Sequence, residues 1–128
     1  MKVIVDTTAW YGYFVKSDKF HDESVAFIDT KPEIIISNII FEEVLALLHH
    51  RVSKKFAAEA GKTVLGLCAH TTPYVSAEEN EDIMRLYAHS MQYIDYVDAS
   101  IVWLSRKFDL PVFTFDEHFK RMKVHVVP

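Results

Sequence analysis

Short runs of β-branched and other apolar residues alternate along the chain with longer segments of helical periodicity. Residues 2–5, 33–37, 111–115 and 124–127 form these strand-like runs, and residues 73–75 form a weaker fifth run. Continuous apolar stretches, rather than alternating ones, are typical of parallel strands that are covered on both faces. The sequence therefore predicts an α/β fold, a three-layer α/β/α sandwich around a central, mainly parallel sheet of four to five strands.

The segments between the strands carry helix start and stop signals. Ser76 followed by Glu79 is a capping box, Asp95 can cap the last long helix, and Pro111 prevents that helix from continuing. Because 128 residues is close to the commonest domain size and no linker-like stretch occurs, we expect residues 1–128 to form a single domain. The predicted helices cover residues 20–30, 39–51, 54–69, 76 to about 93, and 96–108.

The composition predicts a cytoplasmic protein. The N-terminus lacks the apolar core of a signal peptide, and no apolar run approaches the roughly 18 residues that a membrane span needs. Cys68 is the only cysteine, so no intrachain disulfide can form, and its apolar surroundings indicate a buried, unreactive thiol. The net charge of -4 argues against a nucleic-acid partner held by bulk electrostatics, unless bound metal neutralises several acids.

Four acidic residues lie at the ends of apolar runs or on apolar helix faces, where a charged side chain is unexpected. Asp6 and Asp116 each directly follow a predicted strand, and Glu43 and Asp98 lie on the apolar faces of two predicted helices. An isolated carboxylate in such surroundings costs several kcal/mol, so chains seldom place one there without a compensating partner. Each acid taken alone could be a turn, cap or half-exposed residue. Together the four predict a shared site.

Helical geometry separates two of these acids from acidic neighbours. With about 100° between successive residues, Glu43 falls within the apolar face of its helix, whereas Glu42 points outside that face. Asp98 likewise lies among apolar residues, whereas Asp95 precedes its helix and can cap exposed backbone amides. Glu43 and Asp98 are therefore the site candidates, and Glu42 and Asp95 have ordinary surface and capping roles.

The predicted topology brings the four carboxylates to one edge of the sheet. In parallel α/β sheets, ligands bind in the crevice beyond the carboxyl ends of the strands, where Asp6 and Asp116 stand. Carboxylates packed there would repel one another and raise their pKa values unless cations held them ionised. Hard oxygen ligands select Mg²⁺ or Mn²⁺, so the pattern predicts a divalent metal site.

Four segments of the chain resemble the PIN-domain nucleases, and within them the VapC-like ribonuclease toxins of prokaryotic toxin-antitoxin pairs. In the family's order these segments are VIVDTT (residues 3–8), SNIIFEEV (37–44), YVDAS (96–100) and FTFDEHF (113–119). The resemblance implies that the acidic quartet binds one or two divalent ions. It also implies that Thr7 and Thr114 are auxiliary residues, which orient carboxylates or a water.

The resemblance further implies a Mg²⁺- or Mn²⁺-dependent endoribonuclease that cuts RNA to leave a 5′-phosphate and a 3′-hydroxyl. A homodimer and inhibition by a cognate antitoxin protein are implied as well. The alternatives are a housekeeping PIN nuclease in RNA processing and a non-catalytic PIN binding module. A receiver-type phosphoacceptor domain is less favoured, because Asp6-Thr7-Thr8 lacks the neighbouring acid pair that such a domain requires.

Basic and aromatic residues supply weaker predictions about substrate binding. Arg106 and Lys120 are candidates for holding flanking phosphates, and His118 is a candidate for contacting substrate beside Asp116. The seven histidines lack the spacing of a zinc site, so surface or packing roles are favoured for them. A loop after Asp6 is expected to use its aromatic group for core or dimer packing rather than base stacking; the group comprises Trp10, Tyr11, Tyr13 and Phe14.

Overall fold

The computed structural model describes residues 1–68 and 74–128, which contain a four-stranded sheet in the order β2-β1-β3-β4. Every pair of neighbouring strands is parallel, and Ile4 of the central β1 aligns with Ile35 on one side and Val112 on the other. The predicted parallel α/β architecture is confirmed. The strands are β1 (Lys2–Val5), β2 (Glu33–Ile35), β3 (Val112–Phe113) and β4 (Val126–Val127).

Helices connect the strands and cover both faces of the sheet. Val3, Ile4 and Val5 are each 0% exposed although successive side chains point to opposite faces, so both faces of β1 are buried. No helix in the described residues is both long and apolar enough to be a membrane span. The helices are α1 (Thr7–Phe14), α2 (His21–Ile28), α3 (Asn38–Arg51), α4 (Lys54–Leu67), α5 (Ala77–His89), α6 (Tyr96–Phe108) and α7 (His118–Arg121).

The segment after β1 is a helix rather than the predicted loop. Helix α1 begins directly after Asp6, whose carboxylate accepts a hydrogen bond from the Thr7 N–H and so caps the helix. Its aromatic residues have modest helix propensity, and Ala9, Trp10 and Gly12 are buried on more than one side, which hides the helical period in the sequence. Tertiary packing therefore stabilises a helix that local pattern does not show.

Several other helix and strand boundaries differ from the predicted ones. Residues 36 and 37 lie outside β2, because Ser37 accepts the Ile40 N–H and starts α3. Helix α5 ends at His89 rather than near residue 93, and the short α7 was not predicted. Residue 73 of the weak fifth run lies outside the described residues, as does residue 69 at the end of the predicted helix 54–69. Tyr74 and Val75 form no strand, and the Val75 N–H donates to Asn38 instead.

Candidate active site

Asp6 is a buried carboxylate that three threonines hold in place. It is 2% exposed, because it leaves the central strand and caps α1 at the carboxyl edge of the sheet. Its oxygens accept hydrogen bonds from the Thr7 N–H at 2.7 Å, the Thr8 hydroxyl at 2.8 Å and the Thr114 hydroxyl at 2.7 Å. Burial raises the pKa of Asp6, the hydrogen bonds oppose that rise, and the charge of Asp116 adds to it.

Thr114 links Asp6 to Asp116. Strands β1 and β3 are neighbours, so the residues that follow them meet at one edge of the sheet. The buried Thr114 hydroxyl donates to Asp6 and accepts the Asp116 N–H at 3.0 Å. Asp116 in turn accepts the His118 N–H at 2.9 Å, and its Oδ1 lies 2.6 Å from His118 Nδ1. A continuous hydrogen-bonded chain therefore runs from Asp6 to His118.

Three of the four predicted acids line one cleft. Asp6, Glu43 and Asp98 border a cavity of about 290 Å³ between the sheet edge, α3 and α6. Glu43 is half-buried there, whereas Glu42 is exposed, in agreement with the helical-face argument. Asp116 does not border the cavity, but its charge raises the pKa of both Asp6 and Asp98. The fold thus places the four carboxyl groups in one region of the molecule.

Asp98 and Asp95 form a reciprocal cap at the start of α6. The Asp98 N–H donates to Asp95 Oδ1 at 2.8 Å, and the Asp95 N–H donates to Asp98 Oδ2 at 3.1 Å. Burial, the largest cause, and the charges of Asp95, Asp6 and Asp116 together raise the pKa of Asp98 to about 7, while the backbone hydrogen bond to Asp95 opposes the rise. The ionised form of Asp98 is therefore unfavourable without a compensating cation.

The donor set fits a hard divalent cation in chemical type. No Lys, Arg or His nitrogen in residues 1–68 and 74–128 lies within 4.0 Å of the carboxylates of Asp6, Glu43 or Asp98. In the same residues, no three His, Cys, Asp or Glu side chains are grouped tightly enough to hold one ion between them. Mg²⁺ is commonly held by one or two carboxylates and several waters, so this spacing is compatible with it. The residues that would hold it, one or two to an ion, are drawn from Asp6, Glu43, Asp98 and Asp116.

The remaining residues that the sequence predicted for the site are Arg106, Lys120 and Thr7. Arg106 stands at the far end of α6 and donates to the Met122 carbonyl at 3.0 Å, so the structure does not bring it to the cleft. Lys120 is exposed on α7 and its Nζ lies 3.7 Å from Glu117. Within the part of the chain that the structure describes, the buried Thr7 hydroxyl has no hydrogen-bond partner, and it is the backbone N–H of Thr7 that donates to Asp6.

Sequence reasoning missed several residues that border the cleft. Thr8 binds Asp6 through its hydroxyl, while Tyr11, Asp18 and Arg51 line the cavity. Arg51 was recognisable in principle, because it stands eight residues after Glu43, on the ridge that side chains four residues apart form along a helix. The other three depend on α1 and the turn after it, which the sequence pattern did not reveal.

The aromatic group on α1 divides between two roles. Trp10 is fully buried and stacks against Phe14 with ring centroids 6.1 Å apart, as expected for core packing. Tyr13 packs edge-on against both rings, whereas Tyr11 borders the cleft.

Cys68 is buried, and burial raises the pKa of its thiol to about 12, so the thiolate needed for reactivity is disfavoured.

A PIN domain family model matches residues 3–124. The chain belongs to the PIN domain family. This match, together with the order of the strands and acids, favours the PIN interpretation over a receiver-type domain. A search of curated protein sequences gives no match.

Solved structures of the same fold match nearly the whole PIN chain. A Mycobacterium tuberculosis toxin, VapC20, described as sarcin-ricin loop cleaving, is 23% identical, with a TM-score of 0.83 and 95% of each chain covered. VapBC2 from Rickettsia felis, bound to a promoter DNA fragment, is 15% identical with a TM-score of 0.73, covering 99% of this chain and 98% of that one. FitAcB from Neisseria gonorrhoeae is 18% identical with a TM-score of 0.73, covering 98% and 96%. At these identities, the likeness establishes a shared fold.

Proposed function

We propose that this PIN protein is a Mg²⁺- or Mn²⁺-dependent endoribonuclease. The observation that carries the proposal is the meeting of Asp6, Glu43 and Asp98 in one cleft, with the charge of Asp116 acting on two of them. A non-catalytic binding module gains nothing from such a grouping, because like charges in a partly buried cleft are unfavourable. The fold shared with a toxin described as cleaving the sarcin-ricin loop supports RNA as the substrate class.

Each role in the proposed reaction falls to a residue with a defined position. Asp6, Glu43, Asp98 and Asp116 would hold one or two ions, and Thr8 and Thr114 fix the Asp6 carboxylate by hydrogen bonds to Oδ2. When bound, the metal lowers the pKa of water and neutralises charge that develops on the phosphate and leaving oxygen. The protein then needs no side-chain nucleophile, and the expected products are a 5′-phosphate and a 3′-hydroxyl.

RNA cleavage by matched acid variants tests this proposal. With Mg²⁺ or Mn²⁺, we expect Asp6→Asn and Glu43→Gln to lower the cleavage rate by more than about 100-fold, because each removes a metal ligand. Glu42→Gln is the control, since it makes the same chemical change one residue away on the exposed face of α3. Cleavage that survives both site variants, or that persists undiminished in excess EDTA, would rule out the metal-dependent nuclease.

We further propose that the protein is the toxin of a type II toxin-antitoxin pair. Shared folds with VapC20, VapBC2 and FitAcB support this assignment over a housekeeping nuclease in RNA processing. Expression in a bacterial host should arrest growth with the parent protein but not with Glu43→Gln, and co-expression of a small protein encoded beside it should restore growth. Growth without arrest, in a host where the parent protein still cleaves RNA, would favour the housekeeping role.

The remaining parts of the proposal concern assembly. We propose a cytoplasmic homodimer of single-domain chains, each comprising residues 1–128. Exposed apolar side chains on α5 and just after it support an association surface, since Met84, Tyr87, Met91 and Tyr93 are 48%, 42%, 96% and 94% exposed. Light scattering should give twice the 14.8 kDa chain mass. A mass of one chain at micromolar concentration would contradict the dimer.

A further inference from the structure

We propose that Arg51 anchors the substrate in the cleft by binding an RNA phosphate next to the one that is cut. This inference rests on the proposed ribonuclease function and assigns a specific residue to substrate binding. The cleft is bordered by five carboxylate side chains but, among the residues that the structure describes, by one cationic side chain, that of Arg51. The carboxylates are those of Asp6, Asp18, Glu43, Asp95 and Asp98.

The position of Arg51 follows from the geometry of α3. Glu43, Leu47 and Arg51 recur at intervals of four residues, which places them along one face of the helix, and all three border the cleft. Eight residues correspond to about 12 Å along the helix axis. One helix therefore presents an acid near the sheet edge and a guanidinium near the opposite end of the cleft. At this separation from Glu43, Arg51 would meet a phosphate that flanks the scissile one rather than the scissile phosphate itself.

The guanidinium of Arg51 is available to a ligand. Its carbon lies 5.1 Å from the centroid of the Tyr11 ring, which also borders the cleft. No carboxylate in residues 1–68 and 74–128 lies within 4.0 Å of its nitrogens. A guanidinium that lies over an aromatic face keeps its in-plane N–H donors, which match two oxygens of one phosphate. Tyr11 therefore orients Arg51 while leaving its hydrogen-bonding edge open.

Three basic side chains outside the cleft have partners within the chain. Arg106 donates to a backbone carbonyl at the far end of α6, Lys107 pairs with Glu79, and Lys120 lies near Glu117. A polyanion that enters a cleft lined by carboxylates meets repulsion away from the metal. Arg51 offsets that repulsion at the end of the cleft formed by the last turn of α3. Its role is therefore to fix which stretch of the backbone lies across the acids.

Steady-state cleavage of an RNA oligonucleotide by Arg51→Gln and Arg51→Lys tests the inference. For Arg51→Gln we expect KM to rise about 10-fold while kcat changes little, because the lost contact is present in both ground and transition states. The KM of Arg51→Lys should lie between the values for the parent protein and for Arg51→Gln, since lysine keeps the charge but loses the paired donors. Lys55→Gln is the control: it removes one positive charge from an exposed position that does not border the cleft.

Binding of the same RNA in EDTA gives a readout that does not depend on cleavage. Fluorescence anisotropy over a salt series should show the slope of log Kd against log salt falling by about 0.7 for Arg51→Gln and unchanged for Lys55→Gln. In a double-mutant cycle, Tyr11→Leu and Arg51→Gln should be less than additive, because the ring acts through the guanidinium. Circular dichroism should show that the Arg51 and Lys55 variants fold, since both residues are exposed, and the same measurement checks the fold of Tyr11→Leu.

The outcomes separate the two proposals. If the parent protein cleaves RNA and Arg51→Gln keeps the parent KM and salt slope, the assignment of Arg51 is wrong and the nuclease stands. If the parent protein does not cleave RNA under any metal condition, the proposed function is wrong. In that case an altered salt slope for Arg51→Gln still supports Arg51 as a phosphate contact, and an unaltered slope overturns that contact too.

Discussion

The two ends of helix α6 carry opposite charges and have different surroundings. At its start, Asp98 is half-buried near Asp6 and Asp116, and burial together with like charges raises its pKa to about 7. At its end, Arg106 donates to the Met122 carbonyl, and Lys107 pairs with Glu79. Both ends match the helix dipole, which favours acids at the N-terminus and bases at the C-terminus. The dipole alone therefore does not explain the difference.

What separates the two ends is whether the protein itself satisfies the charge. The cations at the end of α6 have partners within the chain and add little beyond surface stability. The acids at its start are gathered at a cost in free energy that protonation or a bound cation would offset. Uncompensated charge thus distinguishes a candidate site from ordinary charged surface. The three predictions that follow test this contrast, from the largest expected effect to the smallest.

The largest effect is expected at Thr114, whose hydroxyl connects Asp6 to Asp116. Thr114→Val keeps the shape of the side chain but removes the donor to Asp6 and the acceptor for the Asp116 N–H. We expect cleavage to fall by about 10- to 100-fold, because groups that orient metal ligands typically contribute that much. Denaturant melts should show a loss of about 1–3 kcal/mol from the unsatisfied buried groups. Thr114→Ser, which keeps the hydroxyl, is the control, and equal activity of the two variants would contradict this role.

Asp98→Asn tests the cost of gathering the acids. In the folded protein, the pKa of this carboxyl is raised from 3.8 to about 7, so the folded state binds its proton more tightly than the unfolded state. Its contribution to stability is therefore fully present below pH 3.8 and is lost as the pH rises through about 7. In EDTA at pH 8, Asp98→Asn should stabilise the protein by about 1–2 kcal/mol, a value discounted for partial exposure.

Denaturant melts of this variant at two pH values separate charge from structure. At pH 4 the advantage of Asp98→Asn should largely vanish, because the parent carboxyl is then protonated in the folded state. Glu42→Gln, on the exposed face of α3, should show no such pH dependence. A loss of more than about 2 kcal/mol for Asp98→Asn at both pH values would show instead that the carboxylate is a structural residue.

The smallest effect is expected at the opposite end of α6. Arg106→Gln removes one exposed hydrogen bond to the Met122 carbonyl, so the free energy of unfolding should change by less than about 1 kcal/mol. Because Arg106 does not border the cleft, KM for RNA should stay at the parent value. If Arg106→Gln raised KM as much as Arg51→Gln does, Arg106 would be a substrate contact. The contrast between the two ends of α6 would then not hold.

Local periodicity predicted a large part of the fold. The bounds of α6, Tyr96–Phe108, agree with the prediction, because a cap at Asp95 and a stop before Pro111 are both local signals. The choice of Glu43 over Glu42 also needed only the helical repeat. Helix α1 was missed because residues buried on several sides show no period, and its cap depends on the Asp6 carboxylate. The bounds of β1 agree with the prediction, whereas β2, β3 and β4 were predicted longer than they are, since apolar runs continue past the last ladder hydrogen bond.

By itself, the sequence determined the alternation of strands and helices and identified four acids whose burial needed a partner. Those features are local, because propensity, capping and the face of a helix depend on residues within a few turns. Only the tertiary structure decided that Thr114 bonds Asp6 across 108 positions of sequence, and that Arg51 rather than Arg106 stands at the cleft. The physical reason is that the strand order β2-β1-β3-β4 and the packing of α3 and α6 fix distances between elements that no local pattern encodes.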